Sequence, residues 1–224
     1  MPVLTRIQVA VEADQVLASE GQADHQLIVE AARRAAASVE EKARPALTYR
    51  QIEVKGLTGR TLRLEESELR IGPHIHLLRA AEQVLVGVVT LGEAIDEEIR
   101  RLEQAGEVLE AYLLGKSAFF ALESAAGGLR SLAEETAAGR GWGVSAALSP
   151  GALAGWPVTE QANICSLLDL AGIGVVLTES CLFRPYYTLS LLIGLGRGYE
   201  AHQVTPTCRY CRLNKTCPYR QISK

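Results

Sequence analysis

The sequence predicts an α+β protein, and three observations lead there. Val84-Leu85-Val86-Gly87-Val88-Val89 is a short, continuous, β-branched apolar run, the pattern of a strand buried on both faces. Residues 49–54 and 60–64 read as two further strands, with Gly56 and Gly59 between them suited to a hairpin. Helical spacing dominates elsewhere. Leu27, Ile28, Ala31, Ala35 and Val39 share one face over residues 24–43, and Pro45 stops that helix. Val108, Leu109, Tyr112, Leu113, Phe119 and Leu122 mark a second helix over 107–138, where Gly127-Gly128 is a possible split.

The other elements follow in order. Leu4, Ile7, Val9 and Val11 alternate as in an edge strand. Gly72-Pro73 punctuates the chain before a short helix over 75–82. A helix from Glu93 carries Ile95, Ile99 and Leu102, with acids early and Arg100 and Arg101 late, as the helix dipole favours. Residues 139–156 are rich in Gly, Ser, Pro and Ala and read as a loop. Pro157 opens a helix bearing Ile164, Leu167 and Leu168. Residues 174–177 and 187–193 read as strands. This divides the chain into an N-terminal α+β lobe (1–80), a core (81–196) and an appended cysteine-rich tail (197–224).

Composition narrows the function classes. With 48% hydrophobic and 22% charged residues, a chain of 224 residues supports a packed core and is not of the disordered class. A net charge of −3 argues against nucleic-acid binding through bulk charge. No apolar run approaches the ~20 residues of a membrane span. Residues 1–10 lack a basic stretch followed by an apolar one, so no signal peptide is expected and the cytoplasm is the expected compartment.

The tail carries the most specific local signal, Cys208-Arg209-Tyr210-Cys211 followed by Cys217-Pro218. A two-residue gap lets two thiolates reach one metal from a single turn, and the longer gap returns a third; iron–sulfur clusters and structural zinc both use such sets. Arg209, Arg212, Lys215 and Arg220 favour the thiolate form. A fourth ligand would come from Cys165, Cys181, His202, a partner or a small molecule. Free thiols without metal are the alternative. Cys217-Pro218 tilts the choice toward a cluster, because proline follows the last cysteine in ferredoxin-type runs.

Other residues give weaker signals. His74 and His76 read as a solvated turn in the absence of further ligands. Cys165, among Ile164, Leu167 and Leu168, reads as a buried structural thiol, and Cys181 as a more accessible one. The 139–156 loop fits no phosphate-binding motif. It is either an ordinary connection or a place where backbone N–H groups meet a small ligand with Trp156 as a lid. Glu123, in an otherwise apolar helix, either meets a cation or faces solvent.

From Val84 onward the pieces form a recognisable order: Thr90-Leu91-Gly92 with Ile95-Asp96-Glu97-Glu98-Ile99, Ser117-Ala118 with Glu123, Ser149-Pro150-Gly151, Trp156-Pro157-Val158-Thr159-Glu160-Gln161, Ile173-Gly174-Val175, Leu177-Thr178-Glu179-Ser180 and Pro185. The set resembles the activation domain of cobalamin-dependent methionine synthase and its stand-alone relatives, most closely over residues 84–196. The resemblance implies a twisted antiparallel sheet with packed helices. It implies a groove for S-adenosylmethionine, with Glu123 facing the ligand's cationic end and Pro150 and Gly151 lining the adenosine site. The family's Arg-x-x-Pro-Gly-Tyr motif has Ala147 and Ala152 in place of Arg and Tyr. Trp156, Tyr186 or Tyr187 would then replace the lost aromatic surface, and a sulfonium can sit against such rings.

The expectation from the resemblance is a reactivation factor. It would dock on a corrinoid (cobalamin) protein or cobalamin-dependent methyltransferase and, with an electron donor protein, support reductive methylation of inactive Co(II). The alternative is an iron–sulfur or zinc-bearing adaptor or electron-transfer protein that has lost S-adenosylmethionine binding. No nucleophile–base pair or paired-carboxylate motif marks an independent active site, so no residue is given a catalytic role and the chain reads as an accessory component.

Overall fold

The computed structural model describes residues 2–5, 7, 9–20, 25–217 and 219. Pro218 and Arg220 of the expected tail lie outside them. In chain order the elements are β1 (Val3–Leu4), α1 (Ala13–Glu20), α2 (Gln26–Lys42), β2 (Ala46–Thr58), β3 (Thr61–Leu64), β4 (Glu68–Arg70), β5 (Gln83–Thr90), α3 (Ala94–Gln104), α4 (Val108–Ala138), β6 (Gly143–Val144), α5 (Gln161–Cys165), β7 (Val176–Leu177), β8 (Phe183–Arg184) and β9 (Thr188–Gly196).

β5 is the centre of a seven-stranded antiparallel sheet ordered β4-β3-β2-β5-β9-β6, with β1 added on β2; β7 and β8 form a separate pair. Both faces of β5 are covered, which is why its sequence is apolar without alternation. On one face Leu85 and Val89 join Leu47, Leu191 and Ile193 under α1, α2 and α4. On the other, Val84, Val86 and Val88 join Ile52 and Leu192 against Leu148, Leu153, Trp156, Ile164 and Phe183. Among the described residues, no helix is long and apolar enough to cross a membrane.

The structure corrects several element expectations. The edge strand shrinks to Val3–Leu4, and α1 begins at Ala13, just past the alternation of Leu4 to Val11. α4 runs unbroken for 31 residues through Gly127-Gly128. The expected helix over 75–82 is a 3-10 turn spanning Pro73–Leu78. His74 is half-buried, its ring centroid 5.6 Å from that of Tyr210, so only His76 sits in solvent. The expected boundary at 80/81 falls between β2 and β5, which pair over eight residues from Ala46↔Thr90 to Glu53↔Gln83.

The segment expected as an appended tail is laced to the 144–154 loop. Val144 N–H donates to Ala201 O at 2.7 Å, Ala147 N–H to Thr205 O at 2.9 Å, and Ala154 N–H to Tyr210 O at 3.1 Å. An isolated bridge joins Leu153 to Cys211, and Val204 N–H donates to Glu134 of α4 at 2.7 Å. These bonds satisfy backbone groups on two irregular segments at once, making the tail a wall of the molecule.

Candidate functional site

A groove of about 500 Å³ lies between α4, the 147–152 loop, the segment from Cys181 to Leu191 and the tail. Each wall contributes chemistry. α4 presents Phe119, Glu123 and Arg130; the loop presents Ala147, Pro150 and Ala152; the third wall presents Cys181, Tyr186 and Tyr187. The tail presents Cys208, Cys211, Cys217 and Tyr219. Glu123 and Arg130 are seven residues apart, about two helical turns, so both face the groove.

Arg130 donates to Glu123 Oε2 at 3.3 Å and to the Glu123 carbonyl at 2.6 Å, and both side chains are largely shielded, at 17% and 25% exposed. An ion pair in this setting is less screened than one on the open surface. The groove thus offers a carboxylate and a guanidinium side by side. The sequence points only to the first: the family motif places its arginine beside Pro150, where Ala147 stands, and not on the helix that carries Glu123.

Aromatic rings frame the charges. Tyr219 lies on Phe119 with centroids 4.0 Å apart, and Tyr186 meets Tyr187 edge-on at 5.3 Å. Buried Lys116 sits beneath, its Nζ 5.3 Å from the Tyr112 ring centroid and 5.5 Å from that of Tyr219; burial lowers its pKa. Burial also pushes the Tyr187 phenol well above its usual range, so it stays neutral. Its hydroxyl rests where a Cβ on Gly115 would come within 2.9 Å, so the glycine in α4 makes room for it.

Of the residues expected at the site, Glu123, Pro150, Tyr186, Tyr187 and the three tail cysteines line this groove. Trp156 and Gly151 do not. They line a separate cavity of about 440 Å³ beside Gly72 and Arg70. Trp156 is 1% exposed, a core side chain and not a lid. The cause is local: Gly72 and Gly155 let two backbones touch, a Cβ on Gly155 would stand 2.6 Å from Pro73, and the clamped loop turns the indole inward. A third cavity, of about 640 Å³, is lined by Glu93, Asp96 and Glu103 and shares Tyr186 and Tyr187. It has neither cysteine nor the Glu123–Arg130 pair, so the smaller groove is the better candidate.

No protein-family model and no curated protein sequence matches the chain. Among solved structures, the crystal structure of the MetH reactivation domain bound to AdoHcy matches with a TM-score of 0.59 and 14% identity. The match covers 90% of this chain and 81% of that one. The chain has the fold of the MetH reactivation domain. That fold includes the strands of the N-terminal third, since the match extends well beyond the part of the sequence that carried the resemblance.

Among the described residues, no three His, Cys, Asp or Glu side chains are grouped so as to hold a metal ion. What the tail cysteines share is the groove, together with an N–H from Leu213 to Cys211 Sγ at 3.4 Å.

Proposed function

We propose that this chain is a reactivation factor for a corrinoid-dependent methyltransferase or methionine synthase, using S-adenosylmethionine as methyl donor. The observation that carries the reading is the convergence of Glu123, Arg130, Tyr186 and Tyr187 on one groove in a chain of this fold. The amino-acid end of S-adenosylmethionine carries an ammonium and a carboxylate. Glu123 answers the first and Arg130 the second, in place of the arginine missing at Ala147. Tyr186 and Tyr187 offer ring faces to the sulfonium, and Pro150 lines the groove on the loop side.

An electron donor protein supplies one electron to the partner's Co(II), giving Co(I). Co(I) attacks the methyl carbon, the carbon–sulfur bond breaks with its electron pair left on sulfur, and methylcobalamin and S-adenosylhomocysteine result. Cys208, Cys211 and Cys217 would hold an iron–sulfur cluster, which supplies one-electron chemistry, or zinc, which fixes the tail. The cytoplasm suits both a thiol-held centre and this partner.

Anaerobic mixing of the protein with a Co(II) corrinoid protein, S-adenosylmethionine and a reductant tests the reading. Methylcobalamin above the control lacking this protein is the expected result; none above it would refute the proposal. A second reading, an adaptor or electron-transfer protein without methyl-donor binding, is favoured by one observation. Ala147 is buried, its N–H and C=O both bonded to the tail, so the place of the family arginine is closed. Saturable S-adenosylmethionine binding would exclude it.

A further inference from the structure

We propose that the cavity of about 440 Å³ beside Gly72 and Trp156 is a further binding site, one that takes a small, multiply charged oxyanion of the phosphate or polycarboxylate type. Arg60, Arg70 and Arg212 line it, and no carboxylate does. Of its lining residues only Val158 also lines the groove of Glu123 and Arg130. The site therefore stands apart from methyl-donor binding and from the tail cysteines.

The fold brings the three arginines together from distant parts of the chain. Arg60 follows Gly59 in the turn that joins β2 to β3. Arg70 ends β4, which pairs with β3 at Thr61↔Arg70, so the two arginines sit at neighbouring strand ends. Gly72 N–H donates to Arg60 O at 3.1 Å and fastens those ends to each other. Arg212 arrives from the tail. It follows Cys211, which bridges to Leu153, and Ala154 N–H donates to Tyr210 O at 3.1 Å. Backbone bonds thus hold three guanidinium-bearing positions around one cavity, in a chain whose net charge is −3.

The charges are unanswered within the protein. Elsewhere in the same β2–β4 region arginines are paired, Arg50 with Glu66 at 2.9 Å and Arg63 with Glu68 at 3.4 Å. Among the described residues, Arg60, Arg70 and Arg212 form no ion pair. Glu160 is spent otherwise: its Oε2 accepts the Arg70 backbone N–H at 3.1 Å and Asn163 Nδ2 at 3.0 Å. Like charges gathered at one cavity repel, and a bound anion removes that cost. A second observation points the same way. Trp156, in the cavity wall, is 1% exposed, and its ring N–H is buried with no acceptor among the described residues. A buried donor left unpaired is costly. Arginine and the indole are donors only, so the ligand that completes this wall is an acceptor. The arginine fork fits phosphate and carboxylate oxygens two at a time. Three cations favour a ligand with two or more negative charges, and the volume is that of a small-molecule site.

Calorimetric titration of the reduced full-length chain with pyrophosphate and, separately, with citrate tests the site. Ionic strength is held constant with KCl, which screens bulk attraction and leaves a built site visible. Saturable one-to-one binding of at least one anion is expected. Pyrophosphate alone assigns the phosphate class, citrate alone the polycarboxylate class, and binding of both assigns the chemistry they share. Arg60, Arg70 and Arg212 are exposed, so their replacement keeps the fold. Arg60→Gln, Arg70→Gln and Arg212→Gln are each expected to weaken binding about tenfold. Arg197→Gln, which removes a guanidinium paired with Glu82, should leave it unchanged. In Trp142→Phe the remaining tryptophan is Trp156, and the bound anion should change its emission. No saturable binding of either anion by the folded chain would overturn the proposal. So would affinities equal to wild type in the three arginine variants, or Trp156 emission unchanged at saturation. The titration uses neither S-adenosylmethionine nor a corrinoid, so failure of the reactivation assay leaves its result standing.

Discussion

At the scale of single residues, the proposed function rests on the pair Glu123–Arg130, which lines the groove. A carboxylate and a guanidinium bonded to each other, both mostly shielded, form a site that a zwitterion can enter by exchanging partners. Each charge-assisted hydrogen bond is worth roughly 1.5–3 kcal/mol, so losing one weakens binding by about tenfold or more. Glu123→Gln and Arg130→Met are each expected to weaken S-adenosylmethionine binding by about that factor in calorimetry. Unchanged affinity with unchanged melting would leave the two as a helix-surface ion pair. Glu123 was legible in the sequence because a carboxylate in an apolar helical stretch needs a partner. Arg130 lies two turns away on the same helix, where an arginine carries no signal of its own, and the family motif points instead to the Pro150 loop. Trp156 misled in the opposite way. A tryptophan at the end of a glycine-rich loop reads as a lid, and only the close approach of Gly72 and Gly155 shows why it turns into the core.

At the scale of elements, α4 and β5 hold the groove in place. Gly87 in the middle of β5 allows Leu129 of α4 to lie on the sheet; a Cβ there would stand 2.6 Å from Leu129 Cδ2 and 3.1 Å from Thr48 O. Gly87→Val is expected to lower stability by about 1–3 kcal/mol through overpacking, measurable as a lower denaturant midpoint. A midpoint equal to wild type would show that the helix does not rest there. α3 is fastened to α2 by Glu98, which meets Lys42 at 3.4 Å and Arg101 at 2.9 Å. The Arg101 hydrogen bond is the main cause holding the Glu98 carboxyl below its usual range; burial opposes it, and the charges of Lys42 and Arg101 add to it. The unfolded chain therefore takes up this proton first as pH falls. The stability from the contact is present above pH ~4.3 and is lost below it. Glu98→Gln should melt below wild type at pH 7, with the gap closing as pH drops through about 4; a gap independent of pH would contradict the assignment.

Legibility at this scale followed burial. β5 and α2 were readable because their periodicity records the faces they bury. β6, two residues inside a glycine-rich loop, carries no such record: Gly143 and Val144 become a strand only because β9 offers Gly196 and Leu195 as partners. α1 has no counterpart in the sequence reading, because its eight residues present too short a pattern to stand out after the alternation of Leu4 to Val11.

At the scale of the whole molecule, the seven-stranded sheet and the two cores on its faces place α4, the 147–152 loop and the tail around a single groove. The fold is shared with the MetH reactivation domain at 14% identity, a level at which architecture persists while side chains are replaced. The tail shows the limit of sequence here. Its cysteine spacing was plain, but its polar, basic composition reads as an appendage. Its position as a groove wall comes from backbone hydrogen bonds with the 144–154 loop that no side-chain pattern encodes. The central claim is that this groove takes S-adenosylmethionine, and calorimetric titration of the ligand into the reduced full-length chain tests it most directly. Saturable one-to-one binding in the micromolar range, weakened in Glu123→Gln and Arg130→Met, is the expected result; a flat titration with protein that still melts cooperatively would contradict it.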